Sequence, residues 1–94
     1  MIKDRPILER DIEKALIKRV KALHGKCEKF TSPQNNAVPD RLCTFHNGVM
    51  VFVELKRPNQ KPTVLQARDH EQRRVMGFDV RVIDNLEDAQ GFLP

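Results

Sequence analysis

The run Val49-Met50-Val51-Phe52-Val53 is apolar on both of its alternating faces, and in a 94-residue chain this is the strongest constraint on architecture. Side chains alternate along a strand, so a strand apolar on both sides must be covered on both sides, as central strands are. The segments around it can supply that cover. Ile12, Leu16, Val20 and Leu23 recur at helical spacing within Pro6 to His24, with Pro6 suited to a first turn and Gly25 to the stop. Lys14, Lys18, Arg19 and Lys21 occupy much of the remaining surface of that helix. Lys26 to Thr31 reads as a short strand, and the turn formers from Ser32 to Pro39 as a loop. Arg41 to Phe45 and Val49 to Lys56 read as strands around the hairpin signal His46-Asn47-Gly48. Pro58 to Pro62 breaks the pattern, after which Thr63 can cap a helix reaching about Met76 and closed by Gly77. Phe78 to Ile83 is a further strand, and Leu86 to Leu93 a short final helix.

The order α-β-β-β-α-β, with a closing helix, predicts one α/β domain over residues 1–94: a mixed sheet with helices on both faces. The connection from Lys56 to Val80 is long enough for a crossover to a parallel strand. No repeat or linker divides the chain.

With 39% apolar and 32% charged residues, such a domain has little room for polar groups inside, so an acid on an apolar face needs a reason. There is no Trp or Tyr, which argues against base recognition by aromatic stacking, and the five Phe residues are expected in the core. Seventeen Lys and Arg against thirteen Asp and Glu give +4, compatible with a phosphate-backbone partner without demanding one. Cys27 and Cys43 lack metal-ligand spacing and are expected as free thiols in a reducing cytosol. The chain is charged from Lys3 onward and has no run of membrane length, so a soluble cytoplasmic protein is expected. His24, His46 and His70 have no ligand-like spacing, and each is expected at the surface. No Ser/His/Asp or Cys/His arrangement and no glycine-rich phosphate loop is present.

The chemistry depends on the hairpin register. A two-residue Asn47-Gly48 turn would set Asp40 opposite Leu55, with Glu54 on the other face. A three-residue loop with Gly48 left-handed pairs Phe45 with Val49 and Asp40 with Glu54, and Lys56 then shares their face. Both are sterically permitted; the second is preferred because it gathers the three charges. Opposed carboxylates destabilise a sheet, and a divalent cation removes the repulsion. Hard oxygen ligands suit Mg²⁺ or Mn²⁺, beside which an ammonium can stabilise developing charge. A third acid, Glu9, falls in the middle of the first helix's apolar stripe; Glu13, slightly off it, is the rival. Acids near a helix start are also favoured by the dipole, which would explain Glu9 without a cation.

The run Glu9…Lys29-Phe30…Val38-Pro39-Asp40-Arg41…Phe52-Val53-Glu54-Leu55-Lys56-Arg57-Pro58…Gln66…Gly77 resembles the VRR-Nuc nucleases, a branch of the PD-(D/E)xK superfamily. The resemblance covers almost the whole chain. It implies a minimal stand-alone nuclease of the kind carried by phages and bacteria, with a restriction-endonuclease-like αβββαβ core. It implies Asp40 and Glu54 as metal ligands with the backbone carbonyl of Leu55, and Glu9 contacting the metal directly or through water. It makes Lys56 the catalytic lysine and places Gln66 near the scissile phosphate. Two departures stand out. Ala37 replaces a common Gly, and His70 and Arg73 occupy positions that are often apolar in the family.

Lys29, Arg41, Arg57, Lys61 and Arg68 lie near the site in sequence and are candidates for phosphate contacts. The resemblance implies a homodimer, whose twofold axis matches a four-way DNA junction. The expectation is therefore an Mg²⁺- or Mn²⁺-dependent, structure-selective endonuclease with Holliday junctions as leading substrate. Alternatives are a flap- or end-directed nuclease or nickase using the same site, and a nucleic-acid-binding module that does not cleave.

Overall fold

The doubly apolar run forms strand β3 (Met50–Leu55), which lies between β2 (Arg41–Thr44) and β4 (Asp79–Ile83), with β1 (Lys26–Lys29) beyond β2. These strands and the helices α1 (Glu9–Ala22), α2 (Val64–Val75) and α3 (Leu86–Gln90) come from a computed structural model that describes residues 5–94. The charged start at Lys3 and Asp4 lies outside the described residues. Strands β1, β2 and β3 are antiparallel neighbours, whereas β4 runs parallel to β3 after the crossover through α2. The sheet is thus mixed, as expected.

Alternation along β3 sorts the two layers. Val51, Val53 and Leu55 point into a core with Ile12, Leu16 and Val20 of α1 and with Ile83, Ala89 and Phe92. Each fully buried aliphatic side chain in this layer contributes about 1.5–3 kcal/mol. Phe52 and Glu54 point the other way, toward α2. There Phe52 meets Phe30 and Phe78 at centroid distances of 5.6 and 5.8 Å. The Arg73 guanidinium lies 4.9 Å from the Phe52 ring centroid and 5.3 Å from that of Phe30. Phe78 itself is part-exposed rather than in the core.

The hairpin adopts the three-residue loop: Phe45 N–H donates to the Val49 carbonyl at 2.8 Å, and Leu42 pairs with Phe52. The loop needs two left-handed residues, Asn47 (φ 66°) as well as Gly48 (φ 74°), where Gly48 alone was anticipated. Helix α1 starts at Glu9, not at Pro6. The Asp11 carboxylate accepts the Leu8 N–H at 2.8 Å and is clamped by Arg5, which fixes the helix start beyond the proline. Strand β1 stops at Lys29, and α3 stops at Gln90, short of Leu93. Thr63 caps α2 as anticipated, its hydroxyl accepting the Gln66 N–H while the Gln66 side chain accepts the Thr63 N–H. Ala37 is buried, and its backbone has no positive φ, so replacing the common Gly requires no strain there. Among the described residues no helix is long and apolar enough to cross a membrane. Cys27 and Cys43 face each other across β1 and β2 as free thiols.

Candidate active site

The β2–β3 register, carried one step past Arg41 and Val53, sets Asp40 opposite Glu54. Backbone bonds hold both ends of this step. Phe30 N–H donates to the Asp40 carbonyl at 2.9 Å, and Lys56 N–H to the Ile83 carbonyl at 3.0 Å. The Asp40 side chain extends the ladder itself, its Oδ2 accepting the Leu55 N–H at 2.9 Å. Lys56 shares the Glu54 face, with Nζ 3.5 Å from Oε2 of Glu54. The three charged groups therefore meet at the carboxyl ends of the parallel strands β3 and β4, a common location for ligand sites in open α/β sheets.

Glu54 is 1% exposed. Burial pushes its carboxyl up to about 7 and the Asp40 carboxylate adds to the shift, while Lys56 opposes both. A buried acid beside a second acid is costly without a counter-charge. The donor set, two carboxylates of which one is buried, fits a hard divalent cation. Among the described residues no three His, Cys, Asp or Glu side chains converge as ligands, so Asp40 and Glu54 are the two carboxylates this geometry brings together.

Glu9 and Glu13 are told apart by their neighbours. Glu13 is held by Arg41 at 3.1 Å. Glu9 is the first residue of α1 and is exposed, but its carboxyl is raised by burial and then by the Asp40 charge, with Lys56 opposing. The first turn of α1 thus brings Glu9 toward the Asp40–Lys56 end of the sheet. Both acids line a cleft of about 630 Å³ that also takes in Asp40, Lys29, Phe30 and Asn35.

No family model matches the sequence. A phage protein named "Putative nuclease p44", from Acyrthosiphon pisum secondary endosymbiont phage 1, is 42% identical over 90 residues, covering 96% of each chain. A solved structure described as a VRR-Nuc domain superposes with a TM-score of 0.84 at 32% identity, covering 88% of this chain and 90% of its own. The chain belongs to the VRR-Nuc family of nuclease domains. A second structure, described as a VRR-Nuc domain protein, shares the fold with a TM-score of 0.72 at 14% identity, over 93% of this chain and 85% of that one.

Gln66 uses its side-chain oxygen on the Thr63 N–H at 2.9 Å, leaving its NH₂ group to donate elsewhere. Lys29, Arg57, Lys61 and Arg68 are exposed. Arg41 is not a free cation: besides Glu13 it reaches the Cys27 carbonyl, and its side chain is 13% exposed.

His70 requires a correction. Expected at the surface, it is 1% exposed, and its Nε2 stands 3.5 Å from Oε1 of Glu54. The reason is that α2 turns a polar face to the sheet. Gln66, Asp69, His70 and Arg73 follow helical spacing on one side, and Asp69 and His70 are the helix's buried residues. Burial, followed by the Arg74 charge, holds the His70 imidazole below its usual range. Asp69 accepts from Asn35 at 2.9 Å and from Arg73 at 2.8 Å, tying the 32–39 loop to α2 just ahead of Asp40. That network was missed in the sequence. Its signal was polar spacing at i, i+3, i+4 and i+7 on α2.

Proposed function

We propose that this VRR-Nuc nuclease is an Mg²⁺- or Mn²⁺-dependent, structure-selective DNA endonuclease whose leading substrate is the four-way junction, cleaved by a homodimer. The observation that carries the reading is the buried Glu54 carboxyl opposite Asp40, with Lys56 on the same face. Asp40 and Glu54 would hold the cation with the Leu55 backbone carbonyl, and Glu9 would reach it directly or through water. When bound, the cation supplies Lewis acidity, which favours attack by water and offsets charge on the phosphate.

The chain's own groups divide the remaining work. Asp40, fixed by the Leu55 N–H, presents its other carboxylate oxygen without a change of backbone. Lys56 is held against Glu54 with its side chain 12% exposed, so its ammonium can donate to a phosphoryl oxygen while little water competes. The Gln66 NH₂ group can donate to the same phosphate. The cleft beside Asp40 leaves room for the strand on one side, where Lys29 can take a flanking phosphate.

Pairing with a second copy is supported by α2. Its outer side exposes Leu65, Val75 and Met76, large apolar groups that burial against a second copy would remove from water. A cleft of about 590 Å³ lies there among Arg68, Gln72, Val75 and Met76.

The test is cleavage of end-labelled four-way, flap and linear duplex DNA in Mn²⁺, with the solution mass measured by light scattering. Paired cuts in the junction by a species of twice the chain mass are expected. Cleavage confined to flaps or ends would overturn the substrate assignment, and full junction activity from a monomer would overturn the homodimer.

A further inference from the structure

We propose that His70 is a positioning residue of the metal site: its Nε2–H holds Oε1 of Glu54 inside the fold and keeps Oε2 turned toward Lys56. The inference rests on the metal-dependent reading of the site given above.

Glu54 Oε1 and His70 Nε2 are both fully buried, and among the described residues neither has a hydrogen-bond partner. They lie 3.5 Å apart, longer than an ordinary hydrogen bond, so a shift of a few tenths of an ångström closes the pair. Two desolvated polar atoms facing one another have strong reason to pair, because each costs about 1–3 kcal/mol while unsatisfied. The other oxygen, Oε2, is 3.5 Å from Lys56 Nζ. The two oxygens thus face different cationic or donor groups, and rotating the carboxylate would carry Oε1 away from the donor nearest to it.

The support behind His70 is equally specific. It sits between Asp69, which is bound to Asn35 and Arg73, and Arg74, which donates to the Val80 carbonyl of β4. These bonds anchor α2 to the 32–39 loop and to the sheet on either side of the imidazole. Glu54 and His70 are therefore presented by two elements locked to each other. A ligating carboxylate oriented by a buried donor generally binds metal about 10–100-fold more tightly than one without it.

Substituting His70→Leu keeps comparable volume and removes the donor. In His70→Gln an amide N–H reaches about as far as Nε2. Calorimetric titration with Mn²⁺ alone is expected to show His70→Leu binding about 10-fold or more weakly than the parent, with His70→Gln within about threefold. Melting curves and circular dichroism show whether each variant is folded. In the parent, long-range ¹H–¹⁵N spectra recorded with and without Mg²⁺ are expected to show the imidazole proton on Nε2. That measurement does not depend on any variant folding.

Folded His70→Leu with parental Mn²⁺ affinity would overturn the inference, as would His70→Gln as weak as Leu or a proton on Nδ1. A parent that binds no Mn²⁺ would overturn the metal reading itself, and the inference with it. A parent that binds and cleaves while His70→Leu does the same would sink the inference alone.

Discussion

Glu54→Gln is expected to abolish metal-dependent cleavage while raising the melting temperature of the metal-free protein at pH 8. Both effects have one origin. Glu54 is buried, and its carboxyl is pushed from 4.5 up to about 7, first by burial and then by Asp40. The folded state therefore holds a proton that the unfolded state has released. Stability tied to that proton is fully present below about pH 4.5 and is lost as pH rises through about 7. At one unit per 1.36 kcal/mol the loss has a ceiling of about 3 kcal/mol. The Gln amide carries no charge and avoids it. Because the amide must still be accommodated beside Lys56, a rise of roughly 5 °C at pH 8 is the expected reading. At pH 5 the gain should vanish, since Glu54 is then largely protonated. The depressed His70 contributes in the opposite direction, but its stabilising effect is complete above about pH 6.5, so a comparison at pH 8 isolates Glu54. Adding Mn²⁺ should raise the melting temperature of the parent and leave that of Glu54→Gln unchanged. Melting curves at pH 5 and 8, with and without Mn²⁺, check all of this.

Lys56→Ala is expected to lower the cleavage rate by about 10²–10³-fold with little change in DNA affinity. Its ammonium is one small charge among several exposed cations, including Lys29, Arg57, Lys61 and Arg68, so it contributes little to holding a phosphate backbone. Within the proposed site its position is particular. The backbone is fixed by the Ile83 carbonyl and the side chain by Glu54. Removing a preorganised donor from such a place costs on the order of 10²–10³ in rate. Single-turnover cleavage alongside a binding titration separates the two effects. Parental cleavage by Lys56→Ala would remove it from the chemistry.

Much of this fold was legible because local signals agreed with one another. The doubly apolar Val49–Val53 run suited a central strand rather than an edge, and Thr63 and Gly77 marked the bounds of α2 by their own chemistry. The Asp40–Glu54 pairing followed from the loop length, which the charges themselves favoured, and the structure adopts that register. What was not legible depended on contacts between distant segments. The start of α1 moved to Glu9 because Asp11 and Arg5 bond around Leu8, which apolar periodicity does not register. Arg41 looked like a free cation until its strand placed it against Glu13.

His70 shows the limit most clearly. A lone histidine on a helix is ordinarily exposed, and that expectation failed because the buried face of α2 is the polar one. Reading α2 by its apolar residues points to Val64, Leu65, Val75 and Met76, all of which are exposed. Reading it by polar spacing would have gathered Gln66, Asp69, His70 and Arg73. A helix with that inversion meets its neighbours through hydrogen bonds and charges rather than through an apolar stripe.

The central claim is that Asp40, Glu54 and Lys56 form a metal-dependent nuclease site, and the direct measurement is DNA cleavage by the parent and by Asp40→Asn, in Mn²⁺ and in EDTA. Asp40→Asn replaces a ligand carboxylate with an amide whose oxygen can still accept the Leu55 N–H, so the fold should be retained. Cleavage only by the parent, and only with Mn²⁺, is the predicted result. Cleavage by folded Asp40→Asn at the parental rate, or by the parent in EDTA, would contradict it.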